Sequence, residues 1–117
     1  MAKTVIIVDD EQDIKETFSE ILTLNGIQVV ATASDGKEGV EKYRIFKPDI
    51  ILVDIMMPNY DGFYALEHLK KEFPNSNIVV ITGDINSETQ IRLKNMKDIK
   101  ILLKPISFDT LLSLFKD

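Results

Sequence analysis

Short apolar runs rich in β-branched residues alternate along the chain with longer stretches whose apolar residues recur at helical spacing. Five segments predict strands: Thr4–Val8, Gln28–Ala33, Asp49–Val53, Asn77–Ile81 and Lys100–Leu103. Four are nearly continuous in apolar residues, the pattern of strands covered on both faces, as in a parallel sheet between helical layers. Ile14, Phe18, Ile21 and Leu22 fall at i, i+4, i+7 and i+8 and predict a first helix stopped by Asn25-Gly26. A second helix is predicted over Gly36–Phe46, with Val40 and Tyr43 inward, ending before Lys47-Pro48. A third runs over Phe63–Glu72 with Leu66, Leu69 and Phe73 inward, stopped by Pro74-Asn75. Ser87–Met96 predicts a mostly polar fourth helix. Phe108, Leu111, Leu112 and Phe115, at i, i+3, i+4 and i+7, predict a fifth with all of them in the core. His68, Lys70, Lys71, Lys94, Lys97 and Lys100 read as solvent-facing. The fold class is therefore α/β, a (βα)5 doubly wound, parallel, five-stranded sheet.

Composition narrows this. At 117 residues and 44% apolar content the chain reads as one domain over 1–117, with no room for an effector domain. Apolar runs stop at four residues, against about 20 for a membrane span. The N-terminus passes straight into the first strand without a secretory leader, so a soluble, cytoplasmic protein with no membrane partner is expected. The balance of 14 basic against 19 acidic residues, a net charge of −5, opposes a phosphate backbone, and nucleic acid is not an expected partner. With no cysteine and one histidine, disulfides, thiolate nucleophiles and histidine or cysteine metal clusters are excluded.

In an open parallel sheet, ligands bind beyond the carboxyl ends of the strands. The residues following the apolar runs are Asp9-Asp10-Glu11 after the first, Asp54 after the third, Thr82 after the fourth and Lys104-Pro105 after the fifth. Parallel strands bring these together at one edge. Two carboxylates about 4 Å apart repel by roughly 4 kcal/mol at an effective dielectric of 20, so a fold that gathers three requires counter-charge. An oxygen-only ligand set suits Mg²⁺, and Lys104 adds a further positive charge. Thr82 offers a hydroxyl to a phosphate oxygen. The layout is one for phosphoryl transfer. Asp54, alone at its strand end, is the nucleophile, and the Asp9-Asp10 pair is suited to the metal. Helix capping is the simpler role for an acid at a helix start, but it needs one acid, not two in tandem.

Val8-Asp9-Asp10-Glu11, the segment Asp54-Ile55-Met56-Met57-Pro58-Asn59-Tyr60-Asp61-Gly62, Ile81-Thr82 and Lys104-Pro105 stand in the order and spacing by which the chain resembles the receiver domain of two-component response regulators, in a stand-alone form of chemotaxis or sporulation-phosphorelay type. The resemblance implies the flavodoxin-like strand order 2-1-3-4-5. It implies that Asp54 accepts a phosphoryl group from a sensor histidine kinase or phosphotransfer protein. Asp10 and Asp54 would bind Mg²⁺ directly, with the Met56 main-chain carbonyl as a third ligand and Asp9 acting mostly through water. Lys104 would pair with the phosphoryl oxygens and the acids, Thr82 would swing inward to the phosphate, and the Lys104-Pro105 bond would be cis. The chain departs from the family pattern at Ile101, where an aromatic residue is common, at Lys97-Asp98 in place of Gly-Ala, and at Gly83 where Ala is frequent. Met56 and Asp84 occupy positions that in the family tune acyl-phosphate lifetime.

The function these readings favour is a phosphorylation switch, catalysing only its own phosphoryl transfer and dephosphorylation, whose altered surface around the fourth helix, fifth strand and fifth helix is read by a downstream protein target. A monomer or weak dimer is expected. An aspartate-nucleophile phosphatase would want an acid at Met56, and a flavin carrier would not place Asp9-Asp10-Glu11 where the cofactor phosphate binds. A receiver-like protein-interaction module not controlled by phosphorylation is the alternative.

Overall fold

The computed structural model describes residues 2–55, 57–58, 62–83 and 87–116. Among the described residues strand and helix alternate: β1 (Thr4–Val8), α1 (Gln12–Leu24), β2 (Gln28–Ala33), α2 (Gly36–Phe46), β3 (Ile50–Asp54), α3 (Gly62–Glu72), β4 (Ile78–Thr82), α4 (Ser87–Lys94), β5 (Ile99–Leu103) and α5 (Phe108–Ser113). All neighbouring strands pair in parallel in the order β2-β1-β3-β4-β5, as the resemblance implied.

The continuous apolar runs are explained by cores on both faces. Ile6 and Val8, Ile51 and Val53, and Ile78 and Val80 enter one layer with Val40 and Tyr43 of α2, Leu66 and Leu69 of α3 and Leu93 of α4. Their alternates Val5 and Ile7, Ile50 and Leu52, and Val79 and Ile81 enter the other with Phe18 and Leu22 of α1 and Leu111 and Phe115. Since successive side chains of a strand point to opposite faces, only a strand buried on both reads as an unbroken run. β2, at the edge, is less covered, and its register against β1 jumps between Val5, opposite Val29, and Ile6, opposite Ala31. The extra residue leaves Val30 and Ala31 both packed against the first layer.

Caps follow local chemistry. Asp35 caps α2, its Oδ1 accepting from the Glu38 N–H at 2.8 Å, and Ser107 caps α5, its Oγ accepting from the Thr110 N–H at 3.1 Å. α2 and α3 are joined by the fork of Arg44 on Glu72, with Nε and Nη2 donating at 2.8 and 2.6 Å, and by the Tyr43 and Phe73 rings 4.8 Å apart. Burial raises the Tyr43 phenol above its ordinary pKa.

Several side chains lie elsewhere than periodicity predicted. The buried stripe of α1 is Lys15, Phe18 and Leu22, while Ile14 and Ile21 are half-buried. Phe108, predicted as core, is 50% exposed because α5 is a short helix that it begins, and Leu112 is half-buried. His68 is half-buried rather than solvent-facing, stacked on the Tyr64 ring at 3.9 Å. Lys70, expected in solvent, is half-buried and donates to the carbonyl of Asp98 at 3.0 Å. Among the described residues no helix is long and apolar enough to cross a membrane.

Candidate functional site

The polar residues that follow the apolar runs meet at the carboxyl edge of the sheet. Asp54 is the last residue of β3, in register with Ile81, and Thr82 is the last residue of β4, in register with Leu103. Both stay in the ladder, because main-chain pairing does not depend on the side chain, and both are buried, Thr82 completely. Asp9 follows β1, its N–H donating to the Ala33 carbonyl at 3.0 Å, and is 4% exposed. Asp10, the next residue, is exposed. Lys104 follows β5, held by its N–H to the Thr82 carbonyl at 2.8 Å, and its bond to Pro105 is cis, as the resemblance implied.

Carboxylate oxygens of Asp9, Asp10 and Asp54 lie within 4.8 Å of one another, a group able to hold a metal ion. The Lys104 ammonium is 3.5 Å from Asp54 Oδ2 and 3.7 Å from Asp9 Oδ2, so it neutralises part of the cluster from one side. Asp9 divides its work: Oδ1 accepts the Glu11 N–H at 2.9 Å, tying the turn into α1, while Oδ2 faces Lys104. The helix-capping role is not filled by either acid, since the N-cap of α1 is Glu11, without a side-chain cap bond. The donors fit a hard divalent cation: anionic oxygens only, no nitrogen or sulfur, and an excess of negative charge that one lysine does not cancel. Met56, assigned a carbonyl ligand, and Asp84 lie outside the described residues, as does Asp61.

Gly62, the first residue of α3, also builds the site. The Gly62 N–H donates to the Ile55 carbonyl at 3.1 Å, and a Cβ on Gly62 would stand 2.5 Å from the Asp54 carbonyl oxygen and 2.6 Å from Ile55 Cα. The first turn of α3 therefore rests directly on the backbone that carries Asp54, an approach open only to glycine. Sequence offers a small residue there and no sign of what it touches. Lys15 was missed as well: buried, with Nζ donating to Ser34 Oγ at 2.7 Å just beyond β2, it occupies a position that polarity alone assigns to solvent.

Comparison with known proteins agrees with this geometry. The response regulator receiver domain family matches residues 5–116. The chain is 41% identical over 83 residues to the chemotaxis protein CheY of Thermotoga maritima, covering 71% of this chain and 69% of that protein. It is 37% identical over 83 residues to CheY of Bacillus subtilis, with the same coverage of 71% and 69%. Among solved structures, Vibrio cholerae chemotaxis protein CheY4 superposes with a TM-score of 0.87 at 28% identity, over 97% of this chain and 96% of that one. The CheX-CheY-BeF3-Mg complex of Borrelia burgdorferi gives a TM-score of 0.80 at 28% identity, over 98% of this chain and 90% of the matched chain. Fold, strand order and clustered acids thus converge with the sequence match: this chain belongs to the response regulator receiver-domain family, the phosphoacceptor modules of two-component signalling.

Proposed function

We propose that the protein is a phosphorylation-dependent signalling switch in which Asp54 accepts a phosphoryl group from the phosphohistidine of a sensor histidine kinase or phosphotransfer protein. The observation that carries this reading is the Lys104 ammonium set between Asp54 and Asp9 in a cluster otherwise made of carboxylates. An Asp54 carboxylate oxygen bonds to phosphorus as the bond from phosphorus to the donor imidazole breaks, and the freed nitrogen takes up a proton. Asp10 and Asp54 would hold Mg²⁺ directly, Asp9 through water and Met56 through its carbonyl. The ion supplies positive charge to the phosphoryl oxygens. Lys104 pairs with a phosphoryl oxygen when it leaves the acids, and the Thr82 hydroxyl donates to another. The product is an acyl phosphate, and the surface it alters is read by a downstream protein.

The test is an intact mass after incubation with Mg²⁺ and acetyl phosphate, for the wild type and for Asp54→Asn. A single acid-stable, base-labile phosphoryl adduct on the wild type alone is expected. No adduct, or the same adduct on the variant, refutes the reading and leaves a receiver-like interaction module. Turnover of many phosphoesters would indicate a phosphatase instead.

A further inference from the structure

α4 is poorly held by apolar packing. Of its described side chains only Leu93 is buried, and Ile91 is 60% exposed. Arg92 adds a polar tie to α3. Its guanidinium lies 3.8 Å over the centroid of the Phe63 ring, and Nη2 donates to Glu67 Oε1 at 3.0 Å. Phe63 and Glu67 are one turn apart on α3, so the planar cation rests on the ring and reaches the carboxylate of the next turn together. Lys70, farther along α3, donates to the carbonyls of Asp98 at 3.0 Å and Ser76 at 3.4 Å and so grips the chain just after α4. α3 thus bears α4 and its exit through two cations.

The position of that grip gives it a consequence. Phe63 follows Gly62, whose backbone is packed against the Asp54 carbonyl and bonded to Ile55. From Asp54 to α4 the path is short and made of contacts: the end of β3, the Gly62 backbone, the buried Phe63 ring, the Arg92 guanidinium. Ring and cation belong to different helices, so a tilt of the first turn of α3 moves the surface on which Arg92 rests. We propose that the Arg92 clasp on Phe63 and Glu67 couples the occupancy of Asp54 to the position of α4. The inference rests on the reading of Asp54 as phosphoacceptor. It assigns Arg92 a positioning role distant from the reacting atoms, and it makes the exposed face of α4, with Ile91, responsive to the site.

Amide NMR with beryllofluoride and Mg²⁺ as the phosphoryl mimic tests it. Ile55 and Gly62 report the site, and Ile91, Leu93 and Asn95 report α4 and its end. In the wild type both sets move on adding the mimic. In Arg92→Ala the site set moves as in the wild type, while the α4 set moves several-fold less. Phe63→Leu, which keeps the burial and removes the π face, gives the same loss. Without the mimic, hydrogen exchange of the α4 amides in Arg92→Ala is about 5- to 10-fold faster, the scale of an exposed stacked ion pair. An α4 response equal to the wild type in either variant, with the site set still moving, overturns the clasp alone. Site amides of the wild type that ignore the mimic overturn the phosphoacceptor reading and the clasp with it.

Discussion

Neutralising Asp54 raises the stability of the metal-free protein. The carboxylates of Asp9, Asp10 and Asp54 lie within 4.8 Å of one another. At that spacing two unit charges repel by about 3.5 kcal/mol at an effective dielectric of 20. Asp54 meets two such neighbours and, opposing them, the Lys104 ammonium at 3.5 Å. That attraction is worth about 5 kcal/mol on the same scale. Repulsion thus exceeds attraction by about 2 kcal/mol, and screening at the exposed Asp10 leaves about 1–2 kcal/mol. For a domain of this length the gain corresponds to a rise in Tm of roughly 4–8 °C. Thermal melts followed by circular dichroism in EDTA should show Asp54→Asn above the wild type, with the gap narrowing as NaCl screens the cluster. Millimolar Mg²⁺ should raise the wild type far more than the variant, closing or reversing the gap. Lys104→Met, which removes the counter-charge, should shift the EDTA melt the opposite way. An Asp54→Asn protein that melts at or below the wild type in EDTA, or a gap indifferent to Mg²⁺, would refute the account of the cluster as strained by like charge.

Gly62→Ala should lower stability by about 1–3 kcal/mol and weaken Mg²⁺ binding, because its Cβ meets backbone atoms that cannot yield. Gly83→Ala, whose Cβ would have its nearest neighbour at 3.8 Å, should be neutral in both assays; equal behaviour of the two variants in urea melts and Mg²⁺ titrations would remove the close-approach argument. Ser76→Ala should stabilise by about 0.5–1 kcal/mol in urea unfolding, since the Ser76 hydroxyl is buried without a hydrogen-bond partner among the described residues; a loss of stability would show that it has one. The Glu72 carboxyl is held below its ordinary pKa chiefly by the hydrogen bond from Arg44, whose guanidinium is raised in turn. A depressed folded-state value means that this stabilisation is present above the unfolded-state pKa, near 4.5, and is lost as the pH falls below it. Melting temperatures should therefore fall more steeply below that pH in the wild type than in Glu72→Gln, and parallel slopes would rule the pair out as a source of acid sensitivity.

The sequence displays the sheet clearly because burial on both faces writes itself as unbroken apolar runs. β1 and β2 have the predicted bounds, and so does α2, which begins after the capping Asp35. β3 and β4 each lie one residue farther along than predicted, starting at Ile50 and Ile78 and ending on Asp54 and Thr82, since a polar residue does not end a strand while the ladder continues through any backbone. The same rule still placed Asp9, Asp54, Thr82 and Lys104 at one edge, where the structure has them. Contacts that depend on distance rather than period were not legible. Nothing in the spacing distinguishes Lys15, buried on Ser34, from a solvated lysine, or shows that Lys70 reaches Asp98. Phe108 satisfied helical spacing but falls at the first position of a short helix, where periodicity no longer decides burial.

The acids and the lysine that balances them are separated by most of the chain: Asp9 stands in the first β–α turn and Lys104 just after the last strand. During synthesis the carboxylates of Asp9, Asp10 and Asp54 exist before their cation does, and contacts of such long sequence separation form late in folding. A partly folded chain with β1 and β3 paired but β5 undocked would gather these mutually repelling carboxylates without their lysine. Docking of β5 beside β4 brings in Lys104 and removes part of that repulsion. The site is therefore completed by the last strand to be made: the charge balance at the carboxyl edge of the sheet is set only when the C-terminal part of the chain has docked.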